Sequence, residues 1–286
     1  MESNSSIFSQ ITSHEHEQVV FCYDKHSGLK AIIAIHNTTL GPAAGGTRMW
    51  AYPSESEALH DVLRLSRGMT YKNAIAGINL GGGKAVIIGD ARKDKSEHLF
   101  RSFGKFVEGL NGKYITAEDV GISTDDMEYV AMHTDYVSGK PEYMGGGGDP
   151  SPVTARGVYY GMKAAAKKAY GSDSLKGKKI SIQGVGHVGQ NLVELLKQEN
   201  THIIISDFYE DRARDIAQKY QVEVVNKDLI YDQEVDIYAP CALGATINDD
   251  TLARLSCDII AGAANNQLLD EQKHADLCKE KGIIYA

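Results

Sequence analysis

Residues 178 to 207 read KKISIQGVGHVGQNLVELLKQENTHIIISD. A β-branched run ends in Gly184-x-Gly186-x-x-Gly189, an amphipathic stretch follows, and a second apolar run ends on Asp207, 23 residues past Gly184. Glycines at this spacing, after a strand and at the start of a helix, leave few folds open. They allow a tight turn and let the backbone, through Gly184, Gly186, Val188 and Gly189, approach a pyrophosphate whose charge sits on the helix N-terminus. Asp207 falls where a carboxylate meets the adenosine ribose. A carboxylate there accepts from a 2′-hydroxyl and repels a 2′-phosphate, which favours NAD over NADP, with Arg212 close enough to temper the preference. The plain alternative is a glycine-rich turn used only for packing.

The surrounding pattern supports a nucleotide fold. From about residue 178, short β-branched runs (KKISIQ, THIIISD, VEVV, DIYAP, DIIAGAAN, GIIYA) alternate with amphipathic stretches. That alternation predicts a parallel, doubly wound sheet. The first half is different. EQVVFCYD and LKAIIAIHN read as a hairpin joined at KHSG, and SESEALHDVLRLSRGM as a helix with Leu59, Val62, Leu63 and Leu65 on its apolar side. KAVIIGD reads as a short buried strand, SEHLFRSFGKFVEGL as a helix, and STDDMEYVAMH as a helix capped by Ser123 with Asp126 three residues on. YMGGGGDPSPVT cannot continue a helix or strand, so a boundary with hinge capacity is expected there, with Ser151 and Pro152 as cap and first residue of the next helix. The expected organisation is α/β with two domains: an α/β substrate-binding and oligomerisation domain over residues 1–147 and a Rossmann domain over 148–286.

A length of 286 residues suits two domains, and 42% hydrophobic with 24% charged residues is an ordinary globular balance. The net charge of −8 without a basic block makes nucleic acid and anionic membranes poor partners. No apolar run approaches a membrane span, and the polar N-terminus is not a secretory signal. Cys22, Cys241, Cys257 and Cys278 show no C-x-x-C spacing, which suits reduced thiols in a cytoplasmic protein. His14 and His16, in HEHE, read as a solvated terminus rather than a metal site, and no metal is expected.

GMTYKNAIAGINLGGGKAVIIGD, residues 68 to 90, is apolar and glycine-rich yet carries Lys72 and Lys84. A lysine costs free energy to bury unless it is paired or used. Both are read as buried, flanking a glycine-rich turn that lets a ligand approach the backbone. Two ammonium groups at one site disfavour each other's charged form, so one can pair with a substrate carboxylate while the other works as a general base. Two snorkelling surface lysines are the plain alternative.

Several long stretches, in order, carry a family resemblance: LGPAAGGTRMW, the lysine segment, YITAEDVG, DPSPVTARGVY, QGVGHVG, APCALGATIN and AGAANNQL. From about residue 15 onward the chain resembles the glutamate/leucine/phenylalanine/valine dehydrogenase superfamily, and its leucine-type members most. The resemblance implies residue roles. Lys72 would bind the substrate α-carboxylate, helped by Gly45, Gly46 and Met69. Lys84 would be the catalytic base, and Asp119 would exchange a proton with the amino group. Thr154 would hold the nicotinamide amide, Asn265 and Asn266 would sit beside nicotinamide and substrate, and Ala239 and Cys241 would border the cofactor. The implied reaction is reversible NAD-dependent oxidative deamination: hydride leaves the α-carbon of an L-amino acid, Lys84 activates water against the iminium, and ammonia and a 2-oxo acid result. A homo-oligomer, commonly an octamer, is implied too.

Ala44 and Ala117 would line the side-chain pocket. Leucine-type members commonly read GPALGG where this chain reads GPAAGG, so relaxed acceptance of bulkier apolar side chains is expected. A phenylalanine-directed enzyme is the alternative within the family, and a non-catalytic binding protein the alternative outside it. Family members continue several tens of residues past GIIYA, so the chain reads as a fragment of a longer protein.

Overall fold

The computed structural model describes residues 6–286. The chain divides into two compact units between Asp149 and Pro150, within the glycine- and proline-rich segment.

The first unit opens with α1 (Ile7–Ser13) and the hairpin β1 (Gln18–Asp24) and β2 (Leu29–Asn37). The hairpin is antiparallel from Gln18↔Ile35 to Asp24↔Leu29. Then come β3 (Ala43–Ala44), β4 (Thr47–Trp50), α2 (Glu55–Ile75), β5 (Gly81–Ile88), α3 (Glu97–Glu108), β6 (Tyr114–Ile115) and α4 (Thr124–Ala131). The sheet runs β1-β2-β5-β3-β6, with β4 also on β5. Both faces of β2 are buried, which is why its sequence shows no polar alternation. Ile32 and Ala34 pack with Leu59, Val62 and Leu63 of α2. Ile33 and Ile35 pack with Phe100 and Phe103 of α3 and Met127 and Val130 of α4. Ser123 caps α4 in a reciprocal box with Asp126, as the spacing predicts.

Three expectations change here. Gly81–Gly83 are not a turn but the first three residues of β5. A Cβ on Gly82 would lie 2.0 Å from Thr70 Oγ1, and one on Gly83 2.8 Å from the Tyr114 ring. The close approach that these glycines permit is therefore by α2 and β6 of the protein itself. Lys72 lies within α2, which continues through TYKNAI, and is exposed, so only Lys84 of the two lysines is buried. His16 is not solvated: it is 8% exposed, with Nε2 2.8 Å from Ser66 Oγ and 3.1 Å from the Leu63 carbonyl. Burial pushes its imidazole down to about 4.

The second unit comprises α5 (Ser151–Tyr170), β7 (Lys179–Gln183), α6 (His187–Gln198), β8 (His202–Ser206), α7 (Glu210–Tyr220), β9 (Glu223–Val224), β10 (Ile237–Pro240), α8 (Asp249–Arg254), β11 (Ile259–Ile260), α9 (Glu271–Glu280) and β12 (Ile284–Tyr285). Six parallel strands run β12-β11-β10-β7-β8-β9. The order reverses between β7 and β10, the switch point of a doubly wound sheet. Ile180, Ile182 and Ile205 pack with Leu192 and Leu196 of α6. Ile204, Tyr238 and Ile260 face the opposite layer, with Leu252 of α8 and Cys278 of α9. α5 starts one residue earlier than expected: Pro150 is the cap, and Ser151 and Pro152 are the first two helical residues.

All four cysteines are free thiols, with Cys22 and Cys278 buried in the core. Among the described residues no helix is long and apolar enough to cross a membrane, and no cluster of His, Cys, Asp and Glu could hold a metal ion.

Candidate active site

Lys84 stands in the middle of β5 at 3% exposure. Its alternation along the strand matches Val86, which packs on the α2 face of the sheet. Its Nζ lies 2.6 Å from Oδ2 of Asp119. Asp119 follows β6 in a loop tied to β4 by backbone bonds, Thr47 N–H donating to the Ala117 carbonyl (2.7 Å) and Met49 N–H to that of Val120 (2.9 Å). These bonds set the carboxylate beside Arg48, whose Nε is 3.6 Å from the same Oδ2. Arg48 is only 2% exposed and also reaches Asp61 of α2 at 2.8 Å, where Tyr52 donates its phenol at 2.6 Å. Lys84, Asp119, Arg48, Asp61 and Tyr52 thus form one connected polar chain, its two cations buried and its other members half-buried.

This arrangement decides the charge states. Burial pushes the Lys84 ammonium below its ordinary range, Asp119 opposes that, and Arg48 and Lys72 add to it; the net direction is down. Burial disfavours the Asp119 carboxylate, but Lys84 and Arg48 outweigh it and hold Asp119 ionised well below the usual range. Glu118, next in sequence, behaves oppositely. Burial, then Asp149, Asp119 and Asp126, push its carboxyl up to about 7, and its Oε1 is buried without a hydrogen-bond partner among the described residues.

The glycine pair at 45 and 46 explains how the backbones close on this cluster. A Cβ on Gly45 would lie 1.9 Å from the Gly83 carbonyl and 3.0 Å from Met69 Cγ, and one on Gly46 2.4 Å from the Glu118 carbonyl and 3.0 Å from Asp119 Cβ. Ala44 pairs with Gly82 and Ile115 across the sheet. Asn73 ties α2 to the same strands, donating to the Gly81 carbonyl at 2.6 Å. Gly45, Gly46, Met69, Lys84 and Asp119 are therefore brought together, with Lys72 one helical turn beyond Met69.

Sequence reasoning missed Arg48, Asp61, Tyr52 and Glu118. The signal for Arg48 was present in TRMW, a cation inside a short apolar strand. Its partners are remote in sequence or on another element, and spacing does not reveal them.

In the second unit each glycine of the fingerprint has its own geometry. Gly184 has φ +93°, and a Cβ there would meet Ala242 Cβ at 2.8 Å. A Cβ on Gly189 would lie 2.1 Å from the Gly184 carbonyl. Gly186 differs: it caps α6 with no side-chain hydrogen bond, and its Cβ direction is open, with Arg212 at 3.8 Å the nearest group. An uncapped helix start beside open space fits a pyrophosphate, with Val188 in the first turn of that helix. Asp207, 7% exposed, accepts from the N–H groups of Val185 and Tyr209, each at 2.8 Å, so it braces the glycine loop from the end of β8. Arg212 lies 3.6 Å from its other side.

Ala239 is buried in β10, and the Cys241 N–H donates to the Gln183 carbonyl at 2.7 Å, placing the following loop against Gly184. That loop also meets Asn265 and Asn266: a Cβ on Gly244 would lie 2.4 Å from the Asn265 carbonyl, and the Ala245 N–H donates to that of Asn266 at 2.8 Å. Asn266 has φ +48° and a buried Nδ2 without a partner among the described residues. Thr154 is exposed in the first turn of α5.

The switch-point sheet with its open helix start has the form of a dinucleotide site, and the Lys84–Asp119 pair suits proton transfer, the two parts a dinucleotide-dependent dehydrogenase needs. Comparison with known proteins agrees. Residues 16–136 match the profile described as Glu/Leu/Phe/Val dehydrogenase, dimerisation domain, and residues 145–210 that of Glutamate/Leucine/Phenylalanine/Valine dehydrogenase. The chain is 58% identical over 280 residues to leucine dehydrogenase of Bacillus subtilis (strain 168), covering 98% of this chain and 77% of that protein. It is 50% identical over 288 residues to phenylalanine dehydrogenase of Lysinibacillus sphaericus, covering 99% and 75%. The crystal structure of L-tryptophan dehydrogenase from Nostoc punctiforme aligns with TM-score 0.68 at 44% identity, over 98% of this chain and 80% of that one. The chain belongs to the glutamate/leucine/phenylalanine/valine dehydrogenase family.

Proposed function

We propose that the chain catalyses the reversible NAD-dependent oxidative deamination of L-leucine and other branched-chain L-amino acids to 2-oxo acids and ammonia. The observation that carries this reading is the Lys84–Asp119 pair, in contact at 2.6 Å, with Lys84 buried in the interior of a strand. The higher identity to leucine than to phenylalanine dehydrogenases supports the substrate class.

Lys72, on the last turn of α2, binds the α-carboxylate, with Gly45, Gly46 and Met69 beside it. Asp119 takes and returns a proton on the substrate nitrogen. When bound, NAD⁺ accepts the hydride from the α-carbon. Lys84, whose ammonium is pushed down by burial, takes a proton from water as the oxygen adds to the iminium carbon. Lys84 passes that proton to solvent; Asp119 protonates the carbinolamine nitrogen, and as the C–N bond breaks to release ammonia Lys84 takes the hydroxyl proton, leaving the 2-oxo acid. Gly184, Gly186, Val188 and Gly189 would hold the dinucleotide, Asp207 would meet its ribose, and Thr154, Ala239, Cys241 and Asn265 would border its nicotinamide half. The orphan Nδ2 of Asn266 supports a role as a donor to a ligand of the second unit. The Asp207 carboxylate supports NAD over NADP. The profile naming residues 16–136 a dimerisation domain supports a homo-oligomer built through the first unit, and four free thiols support a reducing, cytoplasmic setting.

Absorbance of NADH with L-leucine and NAD⁺ tests this. Lys84→Ala is expected to lower turnover about 10²–10⁴-fold while NADH binding, read by fluorescence, is kept. Retained binding with no turnover on leucine, valine or phenylalanine would point to a binding protein instead. The smaller Ala44 predicts a ratio of phenylalanine to leucine turnover that falls in Ala44→Leu.

A further inference from the structure

The side chain that the proposed chemistry leaves unused is Arg48. A guanidinium at 2% exposure is costly unless its charge is met. On one side it is met by Asp61, at 2.8 Å and reinforced by Tyr52. On the other, its Nε has no hydrogen-bond partner among the described residues and faces Asp119 at 3.6 Å. An arginine needed only to staple β4 to α2 would be complete with Asp61. This one also contributes its charge to a carboxylate oxygen that already carries the Lys84 ammonium at 2.6 Å.

One carboxylate therefore serves two cations, and they are not equivalent. A guanidinium does not lose its proton in proteins, whereas a buried ammonium can. We propose that Arg48 is a positioning residue that keeps Asp119 ionised in the protein without substrate, so that there Lys84 is the member of the cluster that gives up a proton. The inference rests on the deamination reading only for the use to which that proton vacancy is put. The groups facing Lys84 agree with it. Lys72, from α2, adds a second positive charge. Tyr52, at Asp61, has its phenol raised by burial and stays neutral, and Tyr114 lies on the other face of the sheet, against Gly83. Glu118 has its own carboxyl pushed up to about 7, in part by Asp119. None of these can replace a permanent cation at Asp119.

The test compares the protein with Arg48→Met, Arg48→Lys and the charge-balanced Arg48→Met/Asp61→Asn. The double variant avoids a stranded Asp61 and leaves Tyr52 an amide oxygen to donate to. Two quantities are followed with pH: the acidic limb of kcat/KM for leucine deamination, and the ¹³Cε shift of Lys84 in lysine-labelled protein, assigned through Lys84→Arg. Loss of a cation beside Asp119 should move both midpoints to higher pH by about one unit or more in the Met variants. Arg48→Lys should stay closer to the parent. Midpoints that stay put in both Met variants while the rate falls uniformly would overturn the proposal and leave Arg48 a structural staple. If the parent shows no turnover yet the Lys84 midpoint still moves, the deamination reading fails and the assignment of Arg48 stands.

Discussion

Glu118 shows how a single residue can make stability depend on pH. Its carboxyl ordinarily titrates near 4.5 and is pushed up to about 7 by burial and by Asp149, Asp119 and Asp126. Below 4.5 it is protonated whether the chain is folded or not. As pH rises through 7, the folded protein must hold a charge that the unfolded chain carries freely, so the contribution to stability present at low pH is lost. Glu118→Gln copies the protonated form. Its melting temperature is expected to exceed the parent's at pH 8 by clearly more than at pH 5, and a difference unchanged between the two would refute this. At this scale legibility was uneven. Lys84 stood out as a cation in an apolar run, and motif order supplied Asp119. Lys72 was misjudged because its helix ends at the surface. His16 was misjudged because its partners, Leu63 and Ser66, lie on α2, 47 and 50 residues away.

Among the elements, α2 holds β5, the strand that carries Lys84, in place. Gly82 is overlain by Thr70 and Ser66 of α2, with Thr70 Oγ1 2.0 Å from where a Cβ would sit. Adding that methyl forces the helix and strand apart. Gly82→Ala is expected to cost about 1–3 kcal/mol, read as a lower urea midpoint, and a variant of parent stability would show that the helix shifts freely. The sequence suggested a turn because three glycines lack a strand's side chains, and only the neighbours filling that space reveal the strand. The elements left unread had weak stripes. α9 buries only His274 and Cys278, and α8 is six residues long. Where both faces of an element were packed or strongly periodic, as in β2, α3, β7 and α6, the reading held.

At the scale of the whole molecule each unit has its own layers. β2 and β5 lie between α2 and the α3–α4 pair in the first, and the parallel sheet lies between its helices in the second. A ligand that binds only the native second unit stabilises it by mass action, about 2.7 kcal/mol at a hundred times its Kd. Added NADH is therefore expected to slow amide exchange most strongly in peptides covering residues 183–189 and 205–209. Protection confined to β1 and β2 would contradict the assignment of the glycine loop. That this unit is a parallel, doubly wound sheet was legible because alternating β-branched runs and amphipathic helices admit few topologies, whereas its strand order emerged only from the structure.

The packing around Gly45, Gly46, Gly82 and Gly83 bears on how this fold can be adapted. Main chain or side chains of the same unit already occupy the space where side chains at these positions would go. Anyone diversifying the protein toward new amino acids inherits a floor that cannot be re-tiled. The neighbouring alanines at 44 and 117 are half-buried and already carry a Cβ.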